Sequence, residues 1–283
     1  MLLSTIVLAC MHGMVRAIST DLHPFVIVFF RNLFGLVVIV PLLMRHGLSS
    51  LKTGQPRLHA LRAIVGILAM LSWFFALSKV PITNATALSF STTIFAALAA
   101  WLFLNERFRI RRWLAILTGM VGVMVVLQPN SAQFDAWSLL PLAAALAWGT
   151  SVTIVKKLTE TDSTLAIVGW MSITLTVLSI IPALFVWQTP TLEQYGLLAG
   201  IGALATAGHL AMTRALKLAE VSIVMSIDFS RLVWTSIIGV AFFAETPGIH
   251  TVLGAVIIFI AGWYIIFRES RIKASQQPDP PTV

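Results

Sequence analysis

The chain has 283 residues, 58% of them hydrophobic and only 11% charged, with a mean hydropathy of +0.92. A soluble domain carries about a quarter charged residues, and no soluble core buries this much apolar surface, so a soluble globular protein is excluded. The net charge of +8 does not indicate nucleic acid, because the basic residues sit in short connections and form no basic domain.

Apolar runs of about 18–25 residues recur along the whole chain, the length a helix needs to cross a ~30 Å hydrocarbon layer. Barrel strands would alternate apolar and polar residues instead. Ten membrane spans are predicted: Leu2–Ile18, Phe25–Met44, Ala63–Val80, Ile82–Leu104, Ile110–Leu127, Ser138–Lys156, Leu165–Val186, Leu192–Thr213, Val221–Phe243 and Ile249–Phe267. The first has no basic segment before it and reads as a span rather than a signal peptide. One cysteine, Cys10, excludes an intramolecular disulfide and a cysteine metal cluster. The tail over 272–283, with Gln276-Gln277-Pro278-Asp279-Pro280-Pro281, is expected to be disordered and cytoplasmic.

Positive charge sets the orientation. With the N-terminus inside, fifteen of the nineteen basic residues fall in cytoplasmic connections, among them Arg45, Lys52, Arg57 and Arg62 after the second span. Arg16 and Lys79 fall outside, and Arg31 and Arg231 lie within spans. Both termini are then cytoplasmic.

An internal repeat is legible at an ungapped offset of 139. Ala76-Leu77-Ser78-Lys79 aligns with Ala215-Leu216-Lys217-Leu218, Ser89-Phe90-Ser91 with Asp228-Phe229-Ser230, and Glu106 with Glu245. The halves, 1–128 and 136–268, each hold five predicted spans. An odd number forces them into opposite orientations, which predicts an inverted-topology repeat.

At these residues the chain resembles the EamA-type transporters of the drug/metabolite transporter superfamily. The resemblance lies in Phe29-Phe30-Arg31-Asn32, Ala85-Thr86-Ala87-Leu88, Leu104-Asn105-Glu106-Arg107 and Phe243-Ala244-Glu245, with Gly119, Gly122, Gly254 and Gly262 in the helices after the glutamates. It covers roughly Leu2 to Arg268. It implies an all-α membrane protein of the bacterial inner membrane, a ten-helix inverted-repeat bundle around a central cavity that moves metabolites as a carrier. It does not fix the substrate.

Asp228 and Arg231 stand inside the ninth span at i, i+3 spacing, so both lie on one helix face. Each charge costs roughly 2.5–3.5 kcal/mol at a helix centre. They either neutralise each other within the bundle or line a substrate or proton path. Their repeat counterparts, Ser89 and Thr92, are uncharged, which favours the path: a ligand is asymmetric, whereas shared packing is not. Arg31 enters the second span and either reads a carboxylate or phosphate together with Arg231 or pairs with Asp228. Asn32 is the weaker neighbour. His12 and His209 are lone histidines, serving as interhelical hydrogen-bonding groups or proton carriers. Trp73, Trp148 and Trp234 lie deep, where they pack or stack ligand rings.

Asp228 is the candidate for proton coupling. Glu106 and Glu245 each precede a helix, a place that suits negative charge, and read as structural or gating residues. Gly196 and Gly200 form a GxxxG pattern expected to pack within the bundle, and the protein is expected to be a monomer or weak dimer. No pair has metal-ligand spacing, so neither metal nor cofactor is expected. The expected partner is a small polar metabolite, with an anionic group if the arginines bind it. Two other classes compete with a carrier. An intramembrane enzyme would need a converging His/Asp or metal constellation. A receptor would bind ligand without gradient-dependent flux.

Overall fold

The computed structural model describes residues 1–47, 51–92, 94–95, 110–129, 135–219, 224 and 227–275. Among these the regular structure is helical, with no strand. The α-helices are α1 (Leu2–Ile18), α2 (Pro24–His46), α3 (Pro56–Lys79), α4 (Ile82–Ser89), α5 (Ile110–Leu127), α6 (Leu139–Leu158), α7 (Thr164–Phe185), α8 (Leu192–Leu218), α9 (Ser230–Phe243) and α10 (Ile249–Ser275).

The starts are written in the sequence. Pro24 and Pro56 sit at the first helical positions, where the missing N–H is harmless. Thr191 and Gln194 close a capping box on α8, and the Ser163 hydroxyl accepts from the Ala166 amide at 3.0 Å. At α2 the cap is His23, whose Nδ1 accepts from the Phe25 amide at 3.3 Å. Burial, then the Lys79 charge, hold His23 below the ordinary imidazole value. The neutral ring so favoured keeps a nitrogen free to accept.

Five segments are long and apolar enough to cross a membrane: Pro24–Arg45, Pro56–Lys79, Ala136–Leu158, Thr164–Phe185 and Leu192–Leu218. Shorter apolar helices cover Leu2–Ile18, Trp113–Leu127, Ser230–Phe243 and Ile249–Tyr264. Their outward faces are apolar, as Leu61, Ile64 and Leu68 on α3 and Ile181, Leu184 and Phe185 on α7 illustrate. That surface suits a hydrocarbon solvent rather than water, with backbone groups satisfied inside each helix.

Packing runs between elements distant in sequence. α3 lies along α6, α1 along α8, α2 against α7, and α5 against α10; α1 crosses α9, and α4 touches α6 and α9. On α8 the close approaches are made at Gly202, where a Cβ would meet Phe34 at 2.6 Å, and at Gly208, where it would meet Leu8 at 2.6 Å. Gly196, half of the expected GxxxG contact, has nothing within 4 Å, while a Cβ on Gly200 would touch only the Met14 methyl.

Three expectations change. α3 begins at Pro56, not Ala63, so Arg57 and Arg62 belong to the helix rather than to a connection, and Arg62 is buried. The expectation failed because an arginine near a helix start looks like a loop charge. Here, however, His59, Arg62, Gly66 and Trp73 continue one helical face. The last helix runs on to Ser275, beyond the expected end at Phe267, and residues 276–283 lie outside the described set. Finally, two spans expected to be continuous are interrupted. α4 stops at Ser89, Phe90 and Ser91 form a turn, and Phe229 is a turn residue just before α9. Hydroxyls of Thr86, Ser89, Ser91 and Thr92 all donate to carbonyls three or four residues back, a habit that bends helices.

Candidate functional site

The two interruptions face each other: the Phe90 and Phe229 ring centroids are 4.4 Å apart. Beside them lies a cavity of about 90 Å³. Its wall is assembled from both halves of the chain. α1 gives Met11 and His12, α2 gives Arg31, α3 gives Gly66, Met70 and Trp73, and the α4 region gives Ser89 and Thr92. α6 gives Ala144, Ala145 and Trp148, α8 gives His209, and α9 gives Arg231. Of the residues singled out from sequence, Arg31, Trp73, Ser89, Thr92, Trp148, His209 and Arg231 therefore meet on one wall. Trp234 is not among the lining residues, and its Nε1 has no partner. Glu106 lies outside the described residues.

The charges divide into two kinds. Asp228 Oδ2 pairs with Arg231 Nη2 at 3.1 Å, which settles its partner as Arg231 rather than Arg31. The Arg231 guanidinium also stands 5.9 Å from the Phe90 centroid, at the outer edge of a cation–π contact. Asp228 itself is not a lining residue; it meets the cavity only through its partner Arg231. Arg31, by contrast, has no acidic partner among the described residues. Its Nη1 donates to Asn32 Oδ1 at 2.6 Å and lies 4.0 Å from the Met70 sulfur, and its Nε is unpartnered. Asn32, the weaker neighbour by sequence, therefore orients Arg31. It is itself held by Leu175 O and Ser179 Oγ, each at 3.4 Å.

The aromatic wall is arranged in two pairs. His12 and Trp73 approach to 5.1 Å between centroids, and Trp148 and His209 to 5.7 Å. Each half of the chain thus contributes one histidine and one tryptophan. Trp73 Nε1 has no partner and can only donate. The Ser89 and Thr92 hydroxyl hydrogens are already given to the Thr86 and Ser89 carbonyls, leaving oxygens that accept. The cavity can thus engage a flat ring with its walls and an acceptor-rich or anionic group with its donors.

One end of the bundle is tied by a network that sequence named only in part. Glu245 Oε1 accepts from Arg16 Nη2 at 2.8 Å and Oε2 accepts from the Ile82 amide at 2.8 Å, while Arg16 Nη1 donates to Leu77 O. Glu245 thus caps α4, in the other half of the chain, rather than the α10 helix that follows it. The left-handed residue Ala244, at φ 52°, ends α9 just before it. At the opposite end Lys156 Nζ donates to Leu216 O at 2.8 Å and to Ala219 O at 3.3 Å. There, too, buried His59 Nε2 and Asp162 Oδ2 lie 2.8 Å apart. The only sequence signal for that pair was the position of His59 on the polar face of α3.

The chain matches the model of the EamA-like transporter family over residues 1–128 and 135–267. It is 32% identical to an S-adenosylmethionine uptake transporter of Rickettsia bellii, over 93% of this chain and 90% of that protein. It is 32% identical to a riboflavin transporter of Vibrio cholerae (84% and 80%) and 29% identical to a pseudopaline exporter of Pseudomonas aeruginosa (92% and 92%). One solved crystal structure superposes with a TM-score of 0.63 at 17% identity, covering 96% of this chain and 94% of that one. Two family matches that together span almost the whole chain, and relatives alike along nearly their full lengths, place this integral multi-pass membrane protein in the EamA-like transporter family.

Proposed function

We propose that the protein carries a small polar metabolite by alternating access, with the central cavity as its binding site. Transport rather than catalysis follows from the family, whose relatives here are named for S-adenosylmethionine, riboflavin and pseudopaline. The observation that carries the site is Arg31, a buried cation with no acidic partner among the described residues, facing a cavity walled by Trp73 and Trp148. A metabolite with a ring between the aromatic walls and a carboxylate or phosphate at Arg31 satisfies both. Arg231 supplies a second, partly neutralised donor, and Asp228 behind it is the proton-coupling group.

Alternating access in an inverted repeat of ten spans is supported by the pairing of helices. Exchanging each helix for the one five places on turns the α3–α6 contact into α8–α1 and the α1–α9 contact into α6–α4. Equivalent residues also meet each other, Phe90 with Phe229. Discontinuous helices beside the binding site are a recurrent device in such carriers. With the N-terminus cytoplasmic by the charge of the connections, the Arg16–Glu245 network closes the outer end and the cavity serves the inner one.

The test is flux into proteoliposomes. Labelled S-adenosylmethionine, riboflavin and a panel of carboxylated and phosphorylated metabolites would be offered with and without a pH gradient. Saturable counterflow of at least one compound is expected, abolished by Arg31→Ala in protein that still inserts. Unchanged flux in both Arg31→Ala and Arg231→Ala would remove the two arginines from the site. Binding without any gradient-dependent flux or exchange would favour a receptor instead.

A further inference from the structure

We infer that Arg62 is an anion-binding residue: a second subsite, one helical turn from the cavity wall, for a carboxylate or phosphate group. The inference rests on the cavity being the ligand site, with Arg31 as its first cation.

Arg62 is only 4% exposed, as buried as Arg31. Its Nη2 donates to the Met171 sulfur at 3.0 Å, a weak acceptor, and its Nε has no partner. Among the described residues no carboxylate pairs with it; Asp162, on the connection between α6 and α7, is taken by His59. A guanidinium keeps its proton, and leaving one buried without a counter-charge costs several kcal/mol. A site that holds such a group needs an anion, and the described residues do not supply one.

The position links this charge to the cavity. Gly66, one turn along α3, is a lining residue. Arg62 Nη1 lies 3.6 Å from where a Cβ on Gly66 would stand, so the missing side chain leaves the guanidinium close behind the wall. The same seam of α2, α3 and α7 carries Arg31. Arg62 touches Met171, whereas Asn32, which orients Arg31, reaches Met70, Leu175 and Ser179. Those contacts lie one to two turns further along α7 and two turns along α3. The two arginines are therefore roughly 6–12 Å apart along the bundle. That spread fits two anionic groups on one metabolite better than a single carboxylate.

The experiment uses the purified full-length protein in detergent and reads its unfolding temperature. The probes are acetate, inorganic phosphate, succinate and pyrophosphate at matched ionic strength, with chloride as the control. The two-group probes are expected to stabilise the protein at concentrations at least about tenfold lower than the one-group probes, as one more charged hydrogen-bond partner implies. Arg62→Gln should erase that advantage while leaving the one-group response, and Arg62→Lys should restore part of it. Without any probe, Arg62→Met should melt no lower than the wild type, because it removes an uncompensated charge; a purely structural arginine would give a lower melting temperature.

An advantage that persists in Arg62→Gln, or no advantage in the wild type, overturns the inference. If Arg31→Gln abolishes every response while Arg62→Gln abolishes none, this inference falls and the central site stands. If Arg31→Gln changes nothing, the central site falls with it. Phosphatidylglycerol that protects through Arg62 and competes with pyrophosphate would identify the anion as a lipid headgroup. Protection by the soluble probes alone identifies a metabolite.

Discussion

The buried charges on α9 and those on the α2–α3 side of the bundle solve the same physical problem in opposite ways. Asp228 and Arg231 neutralise each other at 3.1 Å, three residues apart on one helix region. Arg31 and Arg62 are equally buried and, among the described residues, have an amide oxygen and two thioether sulfurs for company. A pair that closes on itself can be kept for structure. Guanidinium groups that the fold leaves uncompensated are costly unless something else arrives. Under the proposed function, the difference would put ligand recognition on the α2–α3 side and leave α9 a supporting role.

The comparison breaks most visibly at Arg31. Arg31→Ala is expected to reduce saturable flux in proteoliposomes roughly hundredfold or more, the usual consequence of removing one partner of a desolvated charge contact. Comparable flux in Arg31→Ala and wild type would erase the distinction between the two sides. The next effect belongs to α9. Asp228→Asn strands Arg231 and should cost about 2 kcal/mol of stability, with Asp228→Asn/Arg231→Met recovering most of it. Additive losses in a thermal-denaturation double-mutant cycle would show that the pair is not coupled.

Trp148→Ala should raise the half-saturating concentration about five- to tenfold with little change in maximal flux, the scale of a lost aromatic wall. An unchanged value would remove ring stacking from the account.

The smallest effect is a control at the end that carries Lys156. Burial raises the Asp162 carboxyl, but hydrogen bonds from His59, Thr53 and Thr161 and the His59 charge outweigh it, holding it below the usual carboxylate range. A depressed carboxyl contributes stability that is complete above its unfolded value of ~3.9 and lost as pH falls through the lower folded value. Asp162→Asn should therefore lower the melting temperature at pH 7 by an amount equivalent to about 1 kcal/mol. The difference from wild type should shrink below pH 4, and a difference that stayed undiminished there would overturn this reading.

Much of the wall, and the ion pair that Arg231 makes, was legible because membrane insertion makes polar residues conspicuous. Arg31, Asp228 and Arg231 stand out against apolar neighbours, and the repeat led from Asp228 to Ser89 and Thr92. Trp234 misled because depth along a helix says nothing about which face a ring occupies. Arg62 was misplaced because a charge six residues into a helix resembles a loop charge until its helix is known to begin at Pro56. The roles of Asn32 and Arg16 were hidden for another reason. Their partners, Leu175 and Ser179 for one and Leu77 and Glu245 for the other, are tens to hundreds of residues away. No spacing rule connects them.

The α5–α10 pair has a practical meaning of its own. A Cβ on Gly122 would meet the Gly254 carbonyl at 2.9 Å, and one on Gly254 would meet the Gly122 carbonyl at 2.7 Å, so the two helices touch backbone to backbone. Among the described residues neither helix contributes to the cavity wall, while Leu117, Val121, Val256 and Ile260 face outward. Ligand choice and assembly are thus written in different parts of the chain. An alanine at either glycine should appear as lower yield from the membrane, and the molecules that do assemble should keep their appetite for substrate.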